Sequence, residues 1–241
     1  MSPARKLEIA NRKRHRKFTK MLCILENPIL SQVCAPLPFD DQPFEPVKML
    51  SGALPVATTN NEQNAALVDF MTQALEAFDT GVGLAGPQVG LAYRIIAVHA
   101  DRFSKGLKGG MKVMINPVIT AHSETTNPGI EGCLSYPGFR KVVYCYDWLD
   151  VDYFDAQGVK HSERFEGWEG RVVQHEMKHL DGVCEVKTGN NGHVVMPAPM
   201  ASKTASGVAQ PSYHRSHGSL AAMAAIAGVL AMGMSPPSYR R

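Results

Sequence analysis

The sequence has no CxxC pair, no internal repeat and no long apolar run. Its five cysteines, Cys23, Cys34, Cys133, Cys145 and Cys184, are an odd number at uneven spacing. That disfavours a zinc ribbon and a thioredoxin-like site, and it suits a reducing compartment. The longest apolar candidate, Leu220 to Met234, is mostly Ala, Gly and Met and falls short of the ~18 residues of a membrane span. The N-terminus lacks the apolar stretch of a secretory signal. What is there is ordinary for a soluble globular protein: 44% apolar and 20% charged residues in a chain of 241. Such a chain holds one domain with long appendages, or two small ones.

Charge divides the chain. Residues 1–20 carry eight Lys/Arg against the single acid Glu8, whereas residues 21–184 hold 12 Lys/Arg and 20 Asp/Glu. A polyanion would therefore be drawn to the ends rather than to the middle. Three regions follow. Residues 1–20 are a basic arm or targeting segment, expected to be solvated with few buried contacts. Residues 21–189 form the folded domain. Residues 190–241, rich in Gly, Ser, Ala and Pro, form a low-complexity tail.

Within the folded domain, Leu67, Phe70, Met71, Ala74, Leu75 and Phe78 recur at helical spacing, with Asn60 or Asn61 as the cap. Pro36 to Pro55 reads as a long loop. Arg94–His99, Lys112–Asn116, Lys141–Tyr146 and Leu149–Phe154 read as strands, and Gln157-Gly158 as a turn into a returning strand at His161–Phe165. Gly170–Leu180 reads as a helix. Helix, several strands, then helix predicts an α+β fold with mostly antiparallel sheets.

The sharpest chemical signal is His175-Glu176-Met177-Lys178-His179. Four residues apart on a helix, His175 and His179 share a face and can share a metal ion, with Glu176 at hand as a general base. Two histidines need a third protein ligand, for which Cys133, His161, Asp181 and several carboxylates are candidates. The glycine-rich Gly81–Gly90 follows a helix and leads to a strand, the reverse of a dinucleotide fingerprint. Its use is close approach of backbone to a ligand, with Gln88 as an amide donor.

Gly81–Gln88, Glu131–Ser135 and Gln174–Gly182, in that order, resemble the three motifs of the peptide deformylase family. The resemblance covers roughly residues 21–184, including Ile115-Asn116-Pro117. It implies antiparallel sheets packed around a central HExxH metal-binding helix. It implies a divalent ion, Fe²⁺ natively or Zn²⁺, on Cys133, His175 and His179. Glu176 would be general base and acid, Gln88 and the Leu134 amide the oxyanion donors, and Gly83, Gly132 and Arg140 the peptide-binding residues. The implied reaction removes the N-formyl group from the formyl-methionine of nascent polypeptides. Lys178 departs from the family's usual Asp and is expected beside the ligand face, not on it. Arg171 departs from an apolar residue near the methionine side-chain pocket, and Gly86-Pro87 from an Ala-Thr-like pair.

Two other readings compete. A zinc peptidase would take its third ligand after Leu180, from Asp181, Glu185 or His193. A deformylase-like metal-binding protein with weak activity would act as a ribosome- or RNA-associated module through its basic arms. The basic, acid-poor N-terminus leans towards a mitochondrial, organellar member, with plastid and bacterial cytoplasm as alternatives.

Overall fold

Residues three and four apart give helix α2, Asn60–Glu76, one apolar face, and along it Leu67, Met71, Ala74 and Leu75 are wholly buried. The computed structural model describes residues 2–24, 26–44, 46–49, 57–102 and 110–183. The expected tail from 190 and the Ala-rich stretch Ser219–Met234 lie outside them. The cap of α2 is Thr59, whose hydroxyl accepts from the Glu62 amide at 3.2 Å. Neither Asn60 nor Asn61 serves, because each is engaged with the preceding loop. Asn60 Nδ2 donates to the Phe39 carbonyl at 2.8 Å, and the Asn61 amide donates to Asp40 at 2.9 Å.

Seven strands follow: β1 (Gly83–Ala85), β2 (Ile95–His99), β3 (Met111–His122), β4 (Thr126–Cys133), β5 (Tyr136–Tyr146), β6 (Trp148–Phe154) and β7 (Lys160–Glu166). Helix α3, Gly167–Leu180, closes the described part. Five strands form an antiparallel sheet in the order β1-β2-β3-β6-β7, and β4 pairs only with β5. The architecture is α+β with antiparallel sheets. Strand period two divides the core. On β2, Ile95 and Ala97 join the cluster built on α2, while Ile96 and Val98 join the one built on α3. The two helices thus cover opposite faces of the sheet.

β3 and β5 run beyond the expected Lys112–Asn116 and Lys141–Tyr146, and β4 has no expected counterpart. β3 continues past Pro117 through a shift of register between Ile115 and Val118. There Asn116 takes a positive φ of 50°, and its side-chain amide clasps Leu37, accepting from N and donating to O at 2.8 Å each. β4 contains Pro128, Gly129 and Gly132 and has no alternation; its partner β5 makes it a strand.

The basic arm is not solvated chain. Residues Pro3–Met21 form helix α1, capped by the Ser2 hydroxyl. Phe18 is 1% exposed and belongs to the α2 cluster, edge-on to Phe70 at 5.5 Å. Around it His15 Nδ1 meets the Ala77 carbonyl at 2.7 Å and Arg14 pairs with Glu76 at 3.1 Å. Burial of this ring, worth ~3 kcal/mol or more when removed, joins these polar contacts and the packing of Met21 and Leu22 on the same cluster in seating the helix. No helix among the described residues is long and apolar enough to cross a membrane.

Phe18→Ala should lower unfolding free energy by about 3 kcal/mol, read from the urea midpoint at unchanged slope. Leu7→Ala, at a side chain 63% exposed, should change it by less than about 0.5 kcal/mol. Equal effects would show that α1 does not dock through Phe18.

Candidate metal centre

Helix α3 brings its polar residues inward. Arg171, Gln174, Glu176, Lys178 and His179 are all buried. His175 and His179, one turn apart, stand with ring centroids 5.1 Å apart. The third member comes from the end of β4. Cys133 Sγ lies 3.3 Å from His179 Nε2, and one ligating atom each from Cys133, His175 and His179 fall within 4.8 Å of one another. The donor group therefore draws on a strand and a helix, and it includes no carboxylate.

Position in β4 explains how Cys133 is accompanied. Glu131, two residues earlier, shares its face of the strand. Its Oε2 accepts from His175 Nδ1 at 2.8 Å, and its Oε1 accepts from Arg171 Nη1 at 2.9 Å and from the Cys145 thiol at 3.1 Å. Burial alone would push this carboxyl up, but the hydrogen bond and charge of His175, with Lys178 and Cys145, hold it down at about 2. Burial disfavours charge on His175 too, yet Glu131 and Glu176 raise it to about 9 in the ion-free protein. The same burial sends the Cys145 thiol up to about 12.

These features fit a divalent ion. With Nδ1 engaged by Glu131, His175 has Nε2 left for a metal, the arrangement in which a carboxylate orients an imidazole ligand. One thiolate and two imidazoles form a set that zinc and iron accept, and three protein ligands leave a position open.

Glu176 is 3% exposed and lies against β1. A Cβ on Gly83 would stand 2.7 Å from both Cγ and Cδ of Glu176, so only glycine lets that carboxylate lie here. Gln88 follows in a 3₁₀ turn, Gly86–Val89. Its Oε1 accepts from the Ala85 amide at 2.8 Å, which turns Nε2 toward Ser135 Oγ at 3.2 Å and Cys133 Sγ at 3.5 Å. Leu134 begins the turn after Cys133, its side chain on the α2 cluster. Gly132, next to Cys133 in the chain, and Arg140 are register partners on the β4–β5 ribbon, and both are exposed.

Several sequence expectations change. Lys178 is 1% exposed, a burial the sequence does not signal, and its charge helps hold the Glu131 carboxyl down. Arg171 turns inward to Glu131, Val143 and Asn127. Of the alternative third ligands, Asp181 is held by Arg94 at 2.7 Å and His161 pairs with Asp155 at 3.0 Å. Glu185 and His193 lie outside the described residues. Sequence reasoning missed the roles of Glu131 and Ser135; the signal available for Glu131 was its two-residue spacing from Cys133.

Comparison with known proteins agrees with this geometry. The profile described as polypeptide deformylase matches residues 43–191. A peptide deformylase of Cytophaga hutchinsonii is 38% identical over 125 residues, covering 49% of this chain and 68% of that protein. Peptide deformylase 1 of Bordetella pertussis is 35% identical over 138 residues, covering 56% and 78%. Among solved structures, the K1U-bound class I type b peptide deformylase of Acinetobacter baumannii superposes with a TM-score of 0.55 at 29% identity, over 68% of this chain and 95% of that one.

Because His175 holds a proton up to about pH 9 without an ion, metal must displace it. The Cys133 thiol must give up a proton as well, so apparent Zn²⁺ affinity should climb about a hundredfold per pH unit between about pH 6.5 and 8, measured by competition with a chelator. A climb of only about tenfold per unit, the thiol proton alone, would contradict the Glu131–His175 pairing.

Proposed function

We infer that this chain, which belongs to the polypeptide deformylase family, removes the N-formyl group from the formyl-methionine of newly made polypeptides and releases formate. It is a hydrolase that depends on a divalent metal. The observation that carries this reading is the convergence of Cys133, His175 and His179, with ligating atoms within 4.8 Å of one another, beside a buried Glu176.

In this reading α3 is the metal-binding helix and Cys133 is its partner from β4. The native ion is Fe²⁺, with Zn²⁺ as a substitute. An ion held there supplies polarisation of a carbonyl and activation of water at neutral pH. The chain supplies the rest. Glu176, kept in place by the open face of Gly83, accepts the proton of the attacking water and returns it to the leaving amine. The formyl C–N bond breaks, water oxygen goes to formate, and the amine leaves neutral. Gln88 Nε2 and the Leu134 amide donate to the oxyanion, where loss of one donor costs ~10²–10³ in rate. Gly132 and Arg140, facing each other across the ribbon, line the peptide's path.

Glu176→Gln should reduce formate release by at least about 10³-fold while the protein, purified anaerobically with iron, keeps one ion per chain. Gly83→Ala, by displacing the same carboxylate, should cost at least tenfold, again without loss of metal. Retained turnover in Glu176→Gln would remove Glu176 from the proton path.

Helix α1 supports a further role in docking. At about 100° per residue, Arg5, Lys6, Arg12, Lys13, Arg16 and Lys20 fall on the side away from Phe18, and all six are exposed. This cationic face suits ribosomal RNA and, read before folding, a mitochondrial address. Changing all six to Gln tests both. Loss of salt-dependent RNA binding by the purified chain supports docking, and loss of mitochondrial uptake of a tagged chain supports the address. Unchanged behaviour removes the corresponding role.

A further inference from the structure

Arg171 lies one helical turn before His175, on the same face of α3. Its side chain is 9% exposed and tightly engaged. Nη1 donates to Glu131 Oε1 and to the Val143 carbonyl, both at 2.9 Å. Nη2 donates to the Asn127 carbonyl at 2.9 Å and to Asn127 Oδ1 at 2.5 Å. The guanidinium reaches these partners by crossing Gly129, where a Cβ would stand 2.5 Å from Arg171 Cζ. A side chain on β4 at that position and an arginine on α3 exclude each other.

The consequence passes through Glu131. A guanidinium only donates, so Oε1 must accept, and Oε2 is left to accept from His175 Nδ1. The second histidine has no such support: His179 Nδ1 is buried without a hydrogen-bond partner among the described residues. The orientation of the histidine pair thus rests on one carboxylate, and the rotation of that carboxylate rests on Arg171.

We propose that Arg171, seated on Gly129, is a positioning residue that fixes Glu131 and through it the angle at which His175 meets the metal. The proposal rests on the metal-site reading above. It makes Gly129 and Arg171 a matched pair rather than two independent residues.

The test uses Co²⁺ as the probe in the full-length chain. Four variants are compared: Arg171→Met, which removes the fork; Gly129→Ala, which keeps the arginine but displaces it; the double variant; and Arg171→Lys. Release of Co²⁺ to EDTA and the sulfur-to-cobalt charge-transfer band are the readouts. Arg171→Met and Gly129→Ala should each speed Co²⁺ release by about tenfold or more, the range seen when partners of metal ligands are removed, and each should shift the band. The double variant should be no worse than the poorer single one, because both act on one link. Arg171→Lys, which keeps charge without the fork, should restore part of the wild-type release rate.

Wild-type release and band in Gly129→Ala would overturn the proposal, as would additive effects in the double variant. If Arg171→Met does not fold, Gly129→Ala against wild type decides the matter. A wild-type chain that takes up no Co²⁺ would overturn the metal site and the proposal with it. Uptake by wild type with unaltered variants would overturn the proposal alone.

Discussion

A two-stranded ribbon is at best marginally stable in water, and the β4–β5 ribbon must nevertheless hold Cys133 still. What fixes it is the buried polar face of α3. Gln174 clasps the backbone of Tyr146, accepting from its amide at 2.8 Å and donating to its carbonyl at 3.0 Å. Arg171 reaches carbonyls on both strands, at Asn127 and Val143. The apolar contribution of the ribbon is small, chiefly Tyr136, Val143 and Cys145. Breaking a buried ion pair by removing one partner costs about 3–5 kcal/mol. The contacts that attach the ribbon therefore form a large share of its stability, and they are contiguous with the metal donors.

That arrangement ties site geometry to ribbon docking. Glu131 and Cys133 project from the same face of β4, and both meet α3. On the other side, Gly83 lets β1 approach the same helix closely enough to confine Glu176. Gln88 links the two sides, since its amide spans from Ala85 at the end of β1 to Ser135 after β4. The helix is thereby clamped between a short strand of the large sheet and the end of the ribbon. Displacement of either would move a donor or the carboxylate.

Much of this was legible before any coordinates. Helix α2 and strand β6 followed from apolar spacing, because each has one buried face. The three motifs pointed to a metal and its surroundings. The failures have physical causes. β4 holds Pro128 and two glycines, and a strand specified by its partner leaves no alternation to read. α1 looked like solvated chain because its charges outnumber its apolar residues, although Phe18, with Met21 and Leu22 beside it, packs on the α2 cluster. Helical angle puts Lys178 beside the ligand face but says nothing of its depth, and a lysine 1% exposed runs against the usual preference of that residue for water. Glu131 carried no signal in isolation, as its importance lies in which atoms its two oxygens face.

The cysteines give the metal centre a chemical asymmetry. Burial pushes the thiols of Cys34 and Cys145 up to about 12 and raises that of Cys23. At neutral pH these three stay protonated and poorly reactive. Cys133 is the more accessible of the four cysteines among the described residues. Peroxide reaching the protein would therefore act first on the one sulfur that serves as a ligand, and a single oxygen atom added there would remove it from the donor set. Coordination engages the same lone pairs that an oxidant attacks. A redox-inert Zn²⁺ in the site would cover that sulfur, whereas Fe²⁺ would itself react with peroxide beside it, so the identity of the ion would decide how long the thiol survives.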